Sequence, residues 1–240
     1  MERGILYIAS GSRYIEDAIE SSISIKAHTN LPVTLVADRS VEDPHFDRVI
    51  ESDDFLYHYG DSVLQIPRLP YKNTILLDTD TIVSDNFDEL FSLTSNFDVA
   101  AATIAESKFG IGDKVPGSLP EFNTGVVLFN KNERTSRFIS KWKSLYKEYL
   151  DKNVRMNQPA FREAVFQSPA RFITIPTEYN CRANFGGYLT EKVKILHGSF
   201  DDPEQILRDL NEYIAPRVYF NQDSGLTVEK VNTTNNRFGR

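Results

Sequence analysis

Two short apolar runs, Gly4-Ile-Leu-Tyr-Ile-Ala9 and Val33-Thr-Leu-Val-Ala37, bracket a stretch with helical spacing. Continuous runs of this length suit strands buried on both faces, as in a parallel sheet. Between them Ile15, Ala18, Ile19, Ser22, Ile23 and Lys26 recur at helical intervals from Tyr14 to about His28, with Lys26 at the rim. Asn30-Leu31-Pro32 ends that helix. Strand, helix, strand in this order is a βαβ unit, so the expected class is α/β.

The rest of the chain extends the pattern. Thr74-Ile-Leu-Leu77, Asp98 to Ile104 and Thr124 to Phe129 read as further buried strands, with a short one possible at Phe46 to Ile50. Glu133 to Lys152 is the clearest helix, with Phe138, Trp142, Leu145, Tyr149 and Leu150 along one side. That aromatic stripe reads as core. A helix over Gln158 to Val165, strands at Phe172 to Ile175 and Val193 to Leu196, and a helix over Asp202 to Tyr213 follow. Residues 105–122 form a long Gly- and Pro-bearing loop; its Gly110-Ile111-Gly112 lacks the strand-turn-helix setting of a phosphate loop. The expected organisation is one domain over residues 1–215 and a tail over 216–240, poorly ordered or a partner contact.

Charge and composition narrow the partners. Lys and Arg number 27 against 34 Asp and Glu, a net −7, so nucleic acid is not an expected partner. A polyanionic small ligand would need a metal ion or local bases. Cys181 is the single cysteine, which rules out an intrachain disulfide and fits a reducing, cytoplasmic setting. No run approaches the ~20 apolar residues of a membrane span. Work at the periphery of a membrane remains open.

The chemistry centres on Ile75-Leu-Leu-Asp78-Thr79-Asp80-Thr81. Two acids just past a buried strand lie at the carboxyl edge of the sheet, where open α/β sheets bind ligands. Such carboxylates can hold Mg²⁺ or Mn²⁺ and leave positions for phosphate oxygens. The same acids also suit a solvated turn. They match, too, the first motif of haloacid-dehalogenase-type phosphatases, with Asp78 as nucleophile and Asp80 as acid/base. Those enzymes carry the motif on their first strand and need a later Gly-Asp-x-x-x-Asp segment, which is not found after residue 80.

Taken in order, the segments resemble glycosyltransferase family 8, the glycogenin-like nucleotide-sugar transferases of GT-A fold. Ala9-Ser10-Gly11-Ser12-Arg13-Tyr14 is similar to that family's donor-nucleotide loop. The resemblance implies base stacking by Tyr14, backbone approach at Ala9 and Gly11, and a base or ribose contact by Asp38. It implies a basic residue at Arg68 or Lys72 reaching donor phosphate or sugar, although both also read as surface charges. Asp78-Thr79-Asp80 matches the family's metal motif, and His197-Gly198 resembles the late His that completes it. Phe122-Asn123-Thr124-Gly125-Val126 resembles the segment whose Asn touches the donor sugar. Asn157-Gln158 resembles an Asp-Gln pair near the anomeric carbon, here with Asn in place of Asp. After His197 the chain reads Gly198-Ser199-Phe200, without the family's Lys-Pro-Trp, so the late diphosphate-binding Lys is missing.

The resemblance therefore implies a GT-A-like mixed, mainly parallel sheet flanked by helices. It implies Mn²⁺ or Mg²⁺ on Asp78, Asp80 and His197, and transfer of a hexose from a nucleotide-diphosphate sugar, foremost a UDP-sugar, with retention. The acceptor would be a glycan, lipid-linked or protein hydroxyl. The alternatives are the phosphatase and a non-catalytic nucleotide-sugar binding module.

Overall fold

The computed structural model describes residues 2–58, 60–66, 69–104, 115–222 and 225–231. The first βαβ unit forms as the pattern requires: β1 (Arg3–Ala9), α1 (Gly11–His28) and β2 (Val33–Ala37). β3 (Arg48–Glu51), a short helix α2 (Asp61–Leu64), β4 (Asn73–Leu77) and β5 (Thr81–Val83) follow. Then come β6 (Val99–Thr103), β7 (Phe122–Asn130), α3 (Glu133–Leu150), α4 (Gln158–Gln167) and β8 (Phe172–Ile175). The chain continues with β9 (Gly187–Leu189), β10 (Ile195–His197), α5 (Pro203–Asn211), β11 (Arg217–Gln222) and β12 (Gly225–Lys230).

Seven strands make the main sheet in the order β3-β2-β1-β4-β7-β6-β8, and β7 alone runs against the rest. Strict alternation sorts its side chains into two cores. Ile5, Tyr7 and Ala9 join Ile15, Ala18 and Ile25 of α1 on one face. Leu6 and Ile8 face the α3–α4 side, where Trp142 and Phe161 meet edge to face at 4.9 Å. Helices on both faces of a mostly parallel sheet are the three-layer arrangement that the buried runs predict. Among the described residues no helix is long and apolar enough to cross a membrane.

Two smaller sheets lie beyond the carboxyl edge. β5 pairs antiparallel with β10, and β11 pairs with both β9 and β12. The tail expected from residue 216 is thus a hairpin through Lys230. The pattern hid it because β11 opens on Arg217, a charge that is 0 % exposed. Its guanidinium donates to the carbonyls of Leu210, Ala215 and Glu191, which satisfies the charge inside. The late strand also starts two residues later than Val193 to Leu196 and ends one later, on His197 itself.

Candidate active site

β4 is the centre of the main sheet, and it delivers Asp78 and Asp80 to the carboxyl edge. The Asp78 N–H donates to the Gly125 carbonyl at 2.8 Å, continuing the β4–β7 ladder past the strand end. Thr81 Oγ1 donates to the Asp78 carbonyl and hydrogen-bonds Ser21 Oγ, which in turn bonds Tyr7 Oη. This buried hydroxyl chain pins the acidic turn to β1 and α1. Opposite it, β10 sets His197 across from Thr81, and the Gly198 N–H donates to the Asp80 carbonyl at 2.8 Å. His197 Nε2 then lies 3.5 Å from Asp78 Oδ2 and 3.3 Å from Asp80 Oδ1.

The imidazole is held by a relay that begins at a donor of known identity. The Gly125 backbone N–H donates to Asn123 Oδ1 at 2.9 Å. That oxygen also accepts from Asn180 Nδ2 at 2.8 Å, so Asn180 turns Oδ1 toward His197 Nδ1, again at 2.8 Å. An amide oxygen only accepts, so Nδ1 carries the proton and the Nε2 lone pair faces the aspartates. One ligand atom each from Asp78, Asp80 and His197 fit within 4.8 Å of one another. Two hard carboxylates and a neutral imidazole with a fixed outer partner suit a divalent ion. A Cβ on Gly125 would stand 2.0 Å from the His197 ring, so only glycine fits beneath it.

Removal from water pushes the Asp78 carboxyl up to about 6, with Asp80 adding repulsion and His197 and Arg182 opposing. Burial also pushes Asp80 up; its pKa is lowered where Nε2 of His197 carries a proton toward it, with the Arg182 guanidinium adding to the effect, a state distinct from the metal-binding one in which Nε2 presents its lone pair.

These groups face a cavity of about 470 Å³, within the usual range for small-molecule sites. Ala9, Tyr14, Asp78, Thr79, Asp80, Asn157, Gln158 and His197 line it. Asn123 lies just beneath, 2 % exposed, with Nδ2 lacking a hydrogen-bond partner among the described residues. Asn157 is anchored: its Oδ1 accepts from Thr124 Oγ1 at 2.7 Å and its carbonyl accepts from Trp142 Nε1. Gly11 and Asp38 act on the shape of the donor loop. Gly11 has φ +77, which favours glycine, and its N–H donates to Asp38 Oδ2 at 3.0 Å. Asp38 is also bound by Arg39, whose hydrogen bond heads the causes that hold its carboxyl below the usual range.

Lys72 is a correction. It sits at the amino end of β4, exposed and paired with Glu2 at 3.2 Å. The strand between it and Asp78 spans roughly 20 Å at the usual rise, so it cannot reach ligand at the carboxyl edge. Arg68, like Gly110-Ile111-Gly112, lies outside the described residues. Sequence reading missed Asn180, Arg182, Arg13, Asp17 and Asp61, all of which line the cavity except Asn180, the partner of His197.

An α/β sheet with an acidic pair and a late histidine at its carboxyl edge defines a class, that of the nucleotide-sugar transferases. The family model for nucleotide-diphospho-sugar transferases matches residues 70–199, more than half of the chain and the stretch from β4 to the turn after His197. The protein belongs to that family. No curated protein matches it in sequence. Among solved structures, the glycosyltransferase GlyE of Streptococcus pneumoniae TIGR4 superposes with a TM-score of 0.58 at 17% identity over 90% of this chain. The chain spans 58% of the length of that protein. The galactosyltransferase LgtC, solved with donor and acceptor sugar analogues, gives 0.53 at 15% identity over 73% of this chain and 74% of its own. Mouse xyloside xylosyltransferase 1 gives 0.51 at 18% identity over 83% of this chain and 98% of its own. The fold is that of the GT-A glycosyltransferases.

Proposed function

We propose that the protein transfers a hexose from a nucleotide-diphosphate sugar, foremost a UDP-sugar, to a hydroxyl of a glycan, lipid-linked or protein acceptor. The observation that carries this reading is the convergence of Asp78, Asp80 and the His197 Nε2 lone pair on one cavity. Membership of the nucleotide-diphospho-sugar transferases supports it. In this reading the three residues hold Mn²⁺ or Mg²⁺. A divalent ion bound there supplies the positive charge that stabilises a departing diphosphate.

The chain's own residues do the rest. Tyr14, 43 % exposed at the cavity wall, offers a ring for the base. Gln158 at the start of α4, and the spare Asn123 Nδ2, position sugar hydroxyls. The bond from the anomeric carbon to the phosphate oxygen breaks, with its electron pair left on the phosphate. The acceptor oxygen bonds to that carbon from the same side, and its proton passes to the departing phosphate. That path gives retention and needs no separate carboxylate base. We read residues 1–215 as the catalytic domain, with β11–β12 appended, and a cytoplasmic site of action.

The test is slow donor hydrolysis. With Mn²⁺ and a panel of UDP-, GDP- and TDP-sugars, at least one donor should be turned over. Asp80→Ala should lower that rate on the order of a thousandfold while the melting curve keeps its shape. Unchanged turnover in the variant, or hydrolysis of simple phosphomonoesters in place of donors, would sink this function. Tight donor binding without turnover toward any acceptor would identify a binding module instead.

A further inference from the structure

Neither basic residue suggested by sequence supplies a described cation at this site, yet the nucleoside diphosphate that departs is more negative than one divalent ion balances. We propose that Arg182 fills that role, donating from the cavity wall to the sugar-linked phosphate of the donor's diphosphate. This rests on the nucleotide-sugar reading of the cavity.

Three observations place Arg182 there. The first is how the chain carries it. Cys181 forms a parallel bridge to Leu196, with its N–H on the Ile195 carbonyl and its own carbonyl taking the His197 N–H, both at 2.9 Å. The segment 180–182 is therefore clamped alongside β10. In extended chain, alternate side chains share a face. Cys181 packs into a separate small core with Leu196, Leu210 and Tyr219, while Asn180 turns back to His197 and Arg182 lines the cavity.

The second is that its guanidinium is not spent. Arg182 makes no ion pair within 4.0 Å among the described residues, and its Nε is buried without a hydrogen-bond partner. A buried unpaired donor on a charged group is costly, and an oxyanion would satisfy it. The other long buried guanidinium nearby, Arg217, has three carbonyl partners, so the fold satisfies such groups where no ligand is due.

The third is preorganisation. The guanidinium rests 4.4 Å from the centre of the Phe185 ring, and its field reaches both Asp78 and Asp80. That contact restrains the side chain, whose N–H groups would donate to two phosphate oxygens. An oxyanion between Arg182 and the acidic pair would lie between two positive charges once the divalent ion is present. Arg13, also at the cavity, is exposed on the donor loop and lacks this clamp.

Calorimetric binding separates the terms. In the presence of Mn²⁺, UDP, GDP and TDP would be titrated into the full chain, each beside its monophosphate. For whichever base binds, Arg182→Ala should weaken the diphosphate by about tenfold or more, and the monophosphate by less than twofold. Arg182→Lys, which keeps the charge and loses the fork, should recover part of that preference. Equal losses on both ligands would mean that Arg182 merely shapes the cavity, and no loss would mean that it binds neither; each overturns the proposal while leaving the nucleotide site standing. Failure of the unaltered protein to bind any diphosphate overturns both readings together. Melting curves for each variant exclude unfolding as the cause.

Discussion

Two acidic groups sit at opposite edges of the same sheet, and they are treated in opposite ways. Asp98, just before β6, is 1 % exposed and takes hydrogen bonds from Asn132, Arg134 and both the backbone and guanidinium of Arg171. Asp78 and Asp80, at the other edge, are only half-buried and share one imidazole between them. Burial raises the carboxyl pKa in both places. At Asp98 the donors win and hold it far below the usual range; at Asp78 burial wins. A carboxylate that serves the fold is saturated by donors, whereas one kept for a ligand is left short of them.

Crossed substitutions should break the comparison most sharply. Asp80→Asn should cost on the order of a thousandfold in donor hydrolysis and shift denaturant unfolding by much less than Asp98→Asn does. Asp98→Asn should do the reverse. It removes the charge that ties the start of α3 to the edge of β6 and β8, with an expected cost of about 3 kcal/mol in urea unfolding and little change in turnover per folded molecule. If Asp80→Asn proved the more destabilising of the two, the division between structural and functional carboxylates would fail.

The next effect is smaller and concerns the relay behind His197. Asn180→Leu leaves the Nδ1 proton without its acceptor, so the imidazole loses its preferred tautomer and its orientation. Mn²⁺ affinity, read by calorimetry or by the spin resonance of free Mn²⁺, should fall about tenfold. Gly125→Ala should fall at least as far, because its Cβ would enter the space of the His197 ring. Metal affinity unchanged in both would show that His197 is not a ligand.

What could be read from the chain follows from how local each signal is. Asp78-Thr79-Asp80 was legible because the buried strand and the acids are contiguous, so strand and site are specified by the same seven residues. His197 was legible through its order after the late apolar run, although that strand starts two residues later and takes in His197 itself. Asn180 and Arg182 were not, because their roles arise from a single bridge from Cys181 to Leu196 that no periodicity announces. Lys72 misled for the converse reason: it is near the acids in sequence, but an extended strand turns that nearness into distance. Gly125 belongs to the segment whose Asn the resemblance assigns to the donor sugar, while in the fold it is the floor under an imidazole.

The smallest expected effect uses pH, and the two edges should answer with opposite signs. The folded pKa of Asp98 is lowered, while an unfolded Asp titrates near about 4. Its stabilisation is therefore complete above about pH 4 and is lost as pH falls toward the folded value, so the gap between wild type and Asp98→Asn should close in acid. Asp78 is raised to about 6, so without metal its ionised form opposes folding. The favourable contribution of its protonated form is complete below about pH 4 and disappears as pH rises through about 6. Metal-free Asp78→Asn should consequently melt slightly above wild type at pH 7.5 and level with it at pH 4. Adding Mn²⁺ at pH 7.5 should reverse that order, because only the intact acidic pair gains from the ion. A variant that melts below wild type at pH 7.5 without metal would show that Asp78, like Asp98, serves the fold.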